Sequence, residues 1–266
     1  MKLRNLLLVS ALVVAWTAPV SANVIYDTYW GAAPTSSSYA DRDVIGSLSN
    51  FDTERVEVTR NGNLVTFDIY TAFAGNSGNL FRNYTQGRTG IGYGDLFLAS
   101  VWDPNGSEPY YTEDNAAFGT FWEYGLVLDN RFSNSGGSLS LYELNGATNA
   151  ANARMSDDFM TGNAIWRGGQ EVAVDIGSGN VSLLSRGETS SVGSWSVGEG
   201  YLRLVADLSL AAALGGTDLA LHWTMTCAND VIEGQVRGVP EPGSLALLGV
   251  GLLALVAAGK RRSSSV

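Results

Sequence analysis

Strict alternation of apolar and polar residues constrains this chain most. In residues 63–73, Val65, Phe67, Ile69, Thr71 and Phe73 alternate with Thr66, Asp68 and Tyr70. Period two is the mark of a strand with one face buried. Residues 54–60 form a second such run. Asn61-Gly62 lies between them and predicts a tight hairpin, because both residues tolerate positive φ. Further strand-like runs follow at 95–102, 118–128, 138–144, 171–176, 181–184, 193–197, 201–210 and 219–226. A short strand is predicted at 43–48, after Val24, Ile25 and Tyr26 near the start. Gly-rich turns separate the runs, and helical turns are predicted only near Ser156–Met160 and Ala211–Gly216. No repeat of constant period is present. The pattern predicts an all-β body, an antiparallel β-sandwich of jelly-roll type.

The two ends read differently. Residues 1–22 carry Lys2 and Arg4, an apolar stretch from Leu6 to Trp16, and small residues at Val20-Ser21-Ala22. That is the order of a secretory signal peptide, with cleavage expected between Ala22 and Asn23. Residues 239–266 begin with Val239, Pro240, Glu241 and Pro242. An uncharged Leu/Ala/Gly/Val run, 243–259, comes next, and Lys260, Arg261 and Arg262 follow it. The prolines break what precedes them. In lipid the apolar run satisfies its backbone only as a helix. At ~1.5 Å per residue it reaches roughly 22–26 Å, short of a ~30 Å hydrocarbon core. The basic cluster favours the cytoplasmic side. The expected organisation is therefore 1–22 signal peptide, 23–238 β-sandwich body, and 239–266 sorting segment with a short transmembrane helix.

The order Pro-Glu-Pro, apolar run, basic cluster resembles the PEP-CTERM sorting signal of bacterial surface proteins. The resemblance implies an exosortase as processing protease and transient anchoring in the inner membrane. Delivery to the cell surface or extracellular matrix would follow. Residues 121–130, 167–175 and 221–234 also look like stretches shared among PEP-CTERM proteins with β-rich bodies. The PEP-CTERM resemblance implies a structural or adhesive role in association with exopolysaccharide.

Composition narrows the chemistry. The chain carries 26 acidic and 16 basic residues, a net charge of −10. Residues 23–238 hold 11 arginines, no lysine and 25 acids. So acidic a body argues against nucleic acid as a partner. One cysteine, Cys227, precludes an internal disulfide and leaves burial or an intermolecular bridge. His222 is the only histidine, so no zinc set can close on it with Cys227. No G-x-S-x-G elbow or phosphate-binding Gly loop is present. No catalytic residue is expected, and the protein reads as a non-enzyme.

Calcium is the cofactor the acids would suit. Asp103 and Asn105 in one turn, and Asp129 and Asn130 in another, are candidate oxygen donors. The carboxylate pairs Glu113-Asp114, Asp157-Asp158 and Asp41/Asp43 read as solvated loops. Tyr110-Tyr111 beside Trp102, and Tyr84 with Tyr93, are candidate sugar-stacking aromatics, while Trp122, Trp166, Trp195 and Trp223 are expected in the core. Two further functions remain open: a calcium-assisted carbohydrate-binding module, and a glycan-active enzyme using carboxylates.

Overall fold

The computed structural model describes residues 22–32, 42–187, 189–215 and 218–238. One compact unit spans Ala22–Val239. Residues 1–21 of the expected signal peptide (1–22) and the sorting segment, with Val239, Pro240, Glu241, Pro242, Lys260, Arg261 and Arg262, lie outside the described residues. Among the described residues no helix is long and apolar enough to cross a membrane.

The strands in chain order are β1 (Asn23–Tyr26), β2 (Thr53–Asn61), β3 (Leu64–Thr71), β4 (Leu96–Ala99), β5 (Tyr124–Leu128), β6 (Gly137–Leu144), β7 (Ala153–Met155), β8 (Glu171–Val174), β9 (Val181–Leu184), β10 (Ser191–Gly198), β11 (Tyr201–Asp207), β12 (Leu219–Thr224) and β13 (Val231–Val236). Two helices of four residues each, α1 (Leu48–Phe51) and α2 (Asn149–Asn152), lie between them. The antiparallel all-β class expected from the alternation is what forms. The hydrogen-bonded order is β1-β2-β3-β11-β10-β6-β5-β4-β12-β13, with β9 added to β6. The two faces of the sandwich-like body thus belong to one curled sheet. β7 and β8 make a separate small sheet.

The sheet nearly closes on itself. β1 and β13 end the path and share no ladder, yet they pack against each other. Asn23 donates from Nδ2 to the Arg237 carbonyl at 3.4 Å. A side chain at Gly234 would meet Ile25 Cγ2 at 2.8 Å, so glycine permits the approach.

Two cores result. Inside the curl, Val65, Phe67, Ile69, Leu126, Leu141, Leu204, Leu221 and Trp223 pack together. Residues of opposite parity, Phe97, Ala99 and Ala220, point outwards. They pack with Trp122, Leu144, Ala153 and Val174 beneath the small sheet. β12 is therefore buried along its whole length, on both faces.

Several expectations shift. The β2–β3 hairpin turns at Gly62-Asn63, one residue later than Asn61-Gly62, because Asn61 pairs with Leu64. Gly62 supplies the positive φ, +60°. Residues 43–46 form bends and Leu48 opens α1, so 43–48 is not a strand. The run 118–128 is extended only from Tyr124, since Gly119 takes φ +154°. Residues 227–230 follow β12, and a strand not expected from the pattern, β13, comes after them. They turn the chain into β13, which pairs with β12 throughout. The helical turns expected near 156–160 and 211–216 form at Ser156–Asp158 and Ala212–Leu214.

Candidate functional site

Two groups of polar side chains gather where β1, β12, β13 and the small sheet meet, all buried except Asp27 and Asp43, which are half-buried. The first is built from three distant segments. Asp27 follows β1, Asp43 lies in the bends before α1, and Asp230 closes the β12–β13 turn. One carboxylate oxygen from each lies within 4.8 Å of the others. Asp230 has no exposed surface. Its Oδ2 accepts the Thr53 N–H at 2.5 Å and its Oδ1 the Val231 N–H at 3.0 Å. Asp27 Oδ1 accepts the Tyr29 N–H at 3.1 Å. Asp27 Oδ2 and Asp43 Oδ1 are shielded from solvent and accept nothing.

Arg167, 2% exposed, sits beside these acids. Its guanidinium donates to the carbonyls of Ala32, Arg42 and Asp43, at 2.8, 3.1 and 2.6 Å. Burial, then the charges of Asp230 and Asp43, push the Asp27 carboxyl well above its usual range. Burial, then Asp43, does the same to Asp230. Asp43 is pushed up to about 6 by burial, with Arg167 opposing.

The second group centres on His222, which faces outwards from β12 into the small sheet. Its ring has no exposed surface and lies 5.6 Å from the Trp122 ring and 6.0 Å from Phe97. Nδ1 is 3.1 Å from Glu233 Oε2, on β13, and Nε2 is 2.8 Å from the Glu171 carbonyl, on β8. Both partners accept. Only the doubly protonated ring satisfies both contacts. Burial opposes the ring's charge, but the Glu233 hydrogen bond and the charges of Glu171 and Glu233 outweigh it and raise the His222 pKa.

Glu233 Oε1 also accepts from Trp102 Nε1 at 2.8 Å and Thr120 Oγ1 at 3.2 Å. Glu171 Oε1 accepts from Asn149 Nδ2 at 2.7 Å. Burial, opposed by the His222 charge, pushes Glu171 up to about 7. Burial and the Glu233 charge push Asp114 up to about 9. A ring with both nitrogens facing acceptors has no lone pair free to take a proton from a substrate.

The candidates read from the sequence divide accordingly. Asp103, Asn105, Asp129 and Asn130 lie outside the acidic triad, the one group of three such ligands among the described residues. Asn105 instead donates its N–H to Asp114 Oδ2 at 3.0 Å, and Asp129 accepts the Trp195 indole N–H on its carbonyl at 2.9 Å. Asp157 and Asp158 are solvated, as expected, but Asp114 is buried, 3% exposed. The Asn105 N–H holds it there, while burial and the charges of Glu233 and Glu171 oppose its ionisation.

Cys227 is buried in the inner core, on the opposite side of the sheet from His222, and burial raises its thiol pKa. Of the sugar-stacking aromatics, Tyr110 and Tyr84 are exposed, whereas Tyr93 and Tyr111 are buried. Trp122, Trp195 and Trp223 are core, and Trp166 is half-buried against it. Sequence reasoning missed Asp27, Asp230, Arg167, Glu171 and Glu233. The one available signal was an Asp next to Asn229 in a turn between two β-rich runs.

A comparison with known families matches residues 238–262 to the PEP-CTERM protein-sorting motif. The chain carries a PEP-CTERM sorting signal. The match implies export, processing by exosortase, a membrane protease, and sorting to the cell surface. It covers the tail and not the β body. Searches of the curated proteins and of the solved structures found no significant match.

Proposed function

We propose that the body is a non-catalytic structural or adhesive component of the surface matrix, associating with exopolysaccharide through exposed aromatic side chains. The observation that carries this reading is the Trp30–Tyr110 stack. The ring centroids are 4.0 Å apart with 21° between the planes, and Tyr110 is 43% exposed. Backbone hydrogen bonds from Trp30 and Gly31 to the Tyr110 carbonyl, 3.0 and 3.3 Å, fix the pair. Phe118 and Phe121, 66% and 47% exposed, stand in the segment that follows. Flat aromatic faces held rigidly at a surface suit the C–H face of a sugar ring at low entropic cost. The closed surroundings of His222 support a role without acid–base chemistry.

Co-sedimentation with host exopolysaccharide, read together with reducing-end release, tests the proposal. The protein should sediment with the polymer and release no reducing ends. Trp30→Ala with Tyr110→Ala should weaken association about tenfold, the loss of roughly 1–1.5 kcal/mol of stacking. Released oligosaccharides would instead favour a carboxylate-based glycan enzyme. Mass spectrometry of the mature surface protein should find residues 245–266 removed. A mature form that retains Lys260-Arg261-Arg262 would contradict this processing.

A further inference from the structure

We propose that Asp27, Asp43 and Asp230 hold one calcium ion, and that this ion latches the first strand of the sheet to the last. The sheet path begins at β1 and ends at β13, and no ladder joins them. Asp27 stands one residue beyond the end of β1, and Asp230 one residue before the start of β13. An ion bound to both crosses the seam at the point where backbone pairing is missing. Asp43 adds a third donor from a separate segment.

The charges and the unmet oxygens fit a divalent cation. Fully ionised, three carboxylates beside one guanidinium carry a net charge of −2, which a divalent cation would neutralise. Buried charges are stable when paired or when they coordinate a metal. Asp27 Oδ2 and Asp43 Oδ1 have neither solvent nor a hydrogen-bond donor. A further observation stands outside the acids. Asn229, 4% exposed and adjacent to Asp230, has a buried Oδ1 without a partner. Its Nδ2 donates to the Ile45 carbonyl at 2.8 Å, so its amide spans the segments that carry Asp230 and Asp43. Carboxylate oxygens gathered from three separate segments match calcium, whereas magnesium keeps most of its waters. The consequence reaches the C-terminus, because β13 runs directly into the sorting segment. The latch would hold the strand from which that segment leaves.

The test uses the full chain in detergent, stripped with EGTA and titrated with calcium, with magnesium in parallel. Calorimetry should give one saturable calcium site per chain. At 1 mM calcium the tryptophan-fluorescence melt should rise by roughly 5 °C, and magnesium should do markedly less. Asp27→Asn and Asp43→Asn should each weaken calcium binding at least tenfold. Without calcium, both variants should melt at or above the stripped wild type, because each removes a repulsion.

Three results would overturn the proposal. The first is no saturable binding at 1 mM calcium. The second is wild-type affinity in both variants. The third is stripped variants that melt well below the stripped wild type, since the carboxylates would then be structural partners and not unmet ligands. An equal response to magnesium would overturn the choice of calcium.

Discussion

β3 and β12 belong to the same sheet and obey different rules. Along β3, buried residues alternate with half-exposed ones, and the outer side chains face water. Along β12 every residue is buried. The inner faces are alike: Phe67 and Ile69 on β3, Leu221 and Trp223 on β12, all in the main core. The outer faces make the difference. Asp68 on β3 pairs with the half-exposed Arg203 through two hydrogen bonds of 2.7 and 2.8 Å. His222 on β12 is sealed beneath the small sheet and bonded to Glu233 and Glu171. An ion pair in water is nearly neutral for stability, whereas a buried one is costly to break. The same strand geometry thus makes a tolerant surface in one place and an exacting polar core in the other.

The largest expected effect comes from the face the two strands share. Phe67 has no exposed surface and fills the centre of the inner core. Phe67→Ala should cost about 3–5 kcal/mol, from lost burial and the cavity left behind. Denaturant unfolding measures it. A cost near zero would mean that the register of β3 is wrong.

Glu233→Gln addresses the other side of β12. Three donors converge on this carboxylate: Trp102 Nε1, Thr120 Oγ1 and His222 Nδ1. An amide keeps one acceptor and turns its NH2 towards a donor. The expected loss is about 1–3 kcal/mol, the penalty of an unmet buried donor. A neutral result would show that this part of the core is looser than its hydrogen bonds imply.

How much of this was legible in the sequence follows from the same contrast. Val65, Phe67 and Ile69 alternate because water touches one face only, so β3 and its hairpin could be read directly. β12 and β13 are both covered on two sides; β12 still alternates, Leu221 and Trp223 against His222 and Thr224, and was readable, whereas β13 does not. In β13 the run Val231-Ile232 is interrupted by Glu233, Gly234 and Gln235, which hid a strand that is nearly all buried. The candidate calcium site was less legible still. Asp27, Asp43 and Asp230 are brought together by closure of the sheet, and no local spacing encodes that. The Asp103/Asn105 and Asp129/Asn130 turns that sequence reading favoured carry a local signal, but the acids of the triad draw their chemistry from the fold.

A pH series sharpens the comparison. Asp114 is pushed up to about 9 and Glu171 to about 7, so the folded protein keeps protons there that the unfolded chain releases near pH 4. His222, with its raised pKa, acts in the same direction. Stability from these groups is therefore present at low pH and lost as pH rises from about 4 towards about 9. The melting temperature should fall between pH 6 and pH 9, with a loss of stability on the order of a few kcal/mol. Asp114→Asn should flatten the decline and melt above the wild type at pH 9. A wild-type melt that rises over that interval would show these carboxyls ionised in the fold.

The smallest effect should come from Asp68→Ala, one position from Phe67 on the opposite face of β3. Its carboxylate meets Arg203 across the β3–β11 ladder, where Asp68 and Arg203 are direct partners. The pair is bidentate, which favours it, but the Arg203 side chain is 48% exposed and competes with water and salt. Double-mutant cycles of such pairs give about 0.2–1 kcal/mol. Asp68→Ala should cost no more than that, and 1 M salt should shrink the difference from the wild type. The cost of Phe67→Ala should not respond to salt in this way, because what it removes is apolar contact. If Asp68→Ala instead costs as much as Phe67→Ala, the outer face of β3 is not a solvated surface, and the contrast with β12 fails at its simplest point.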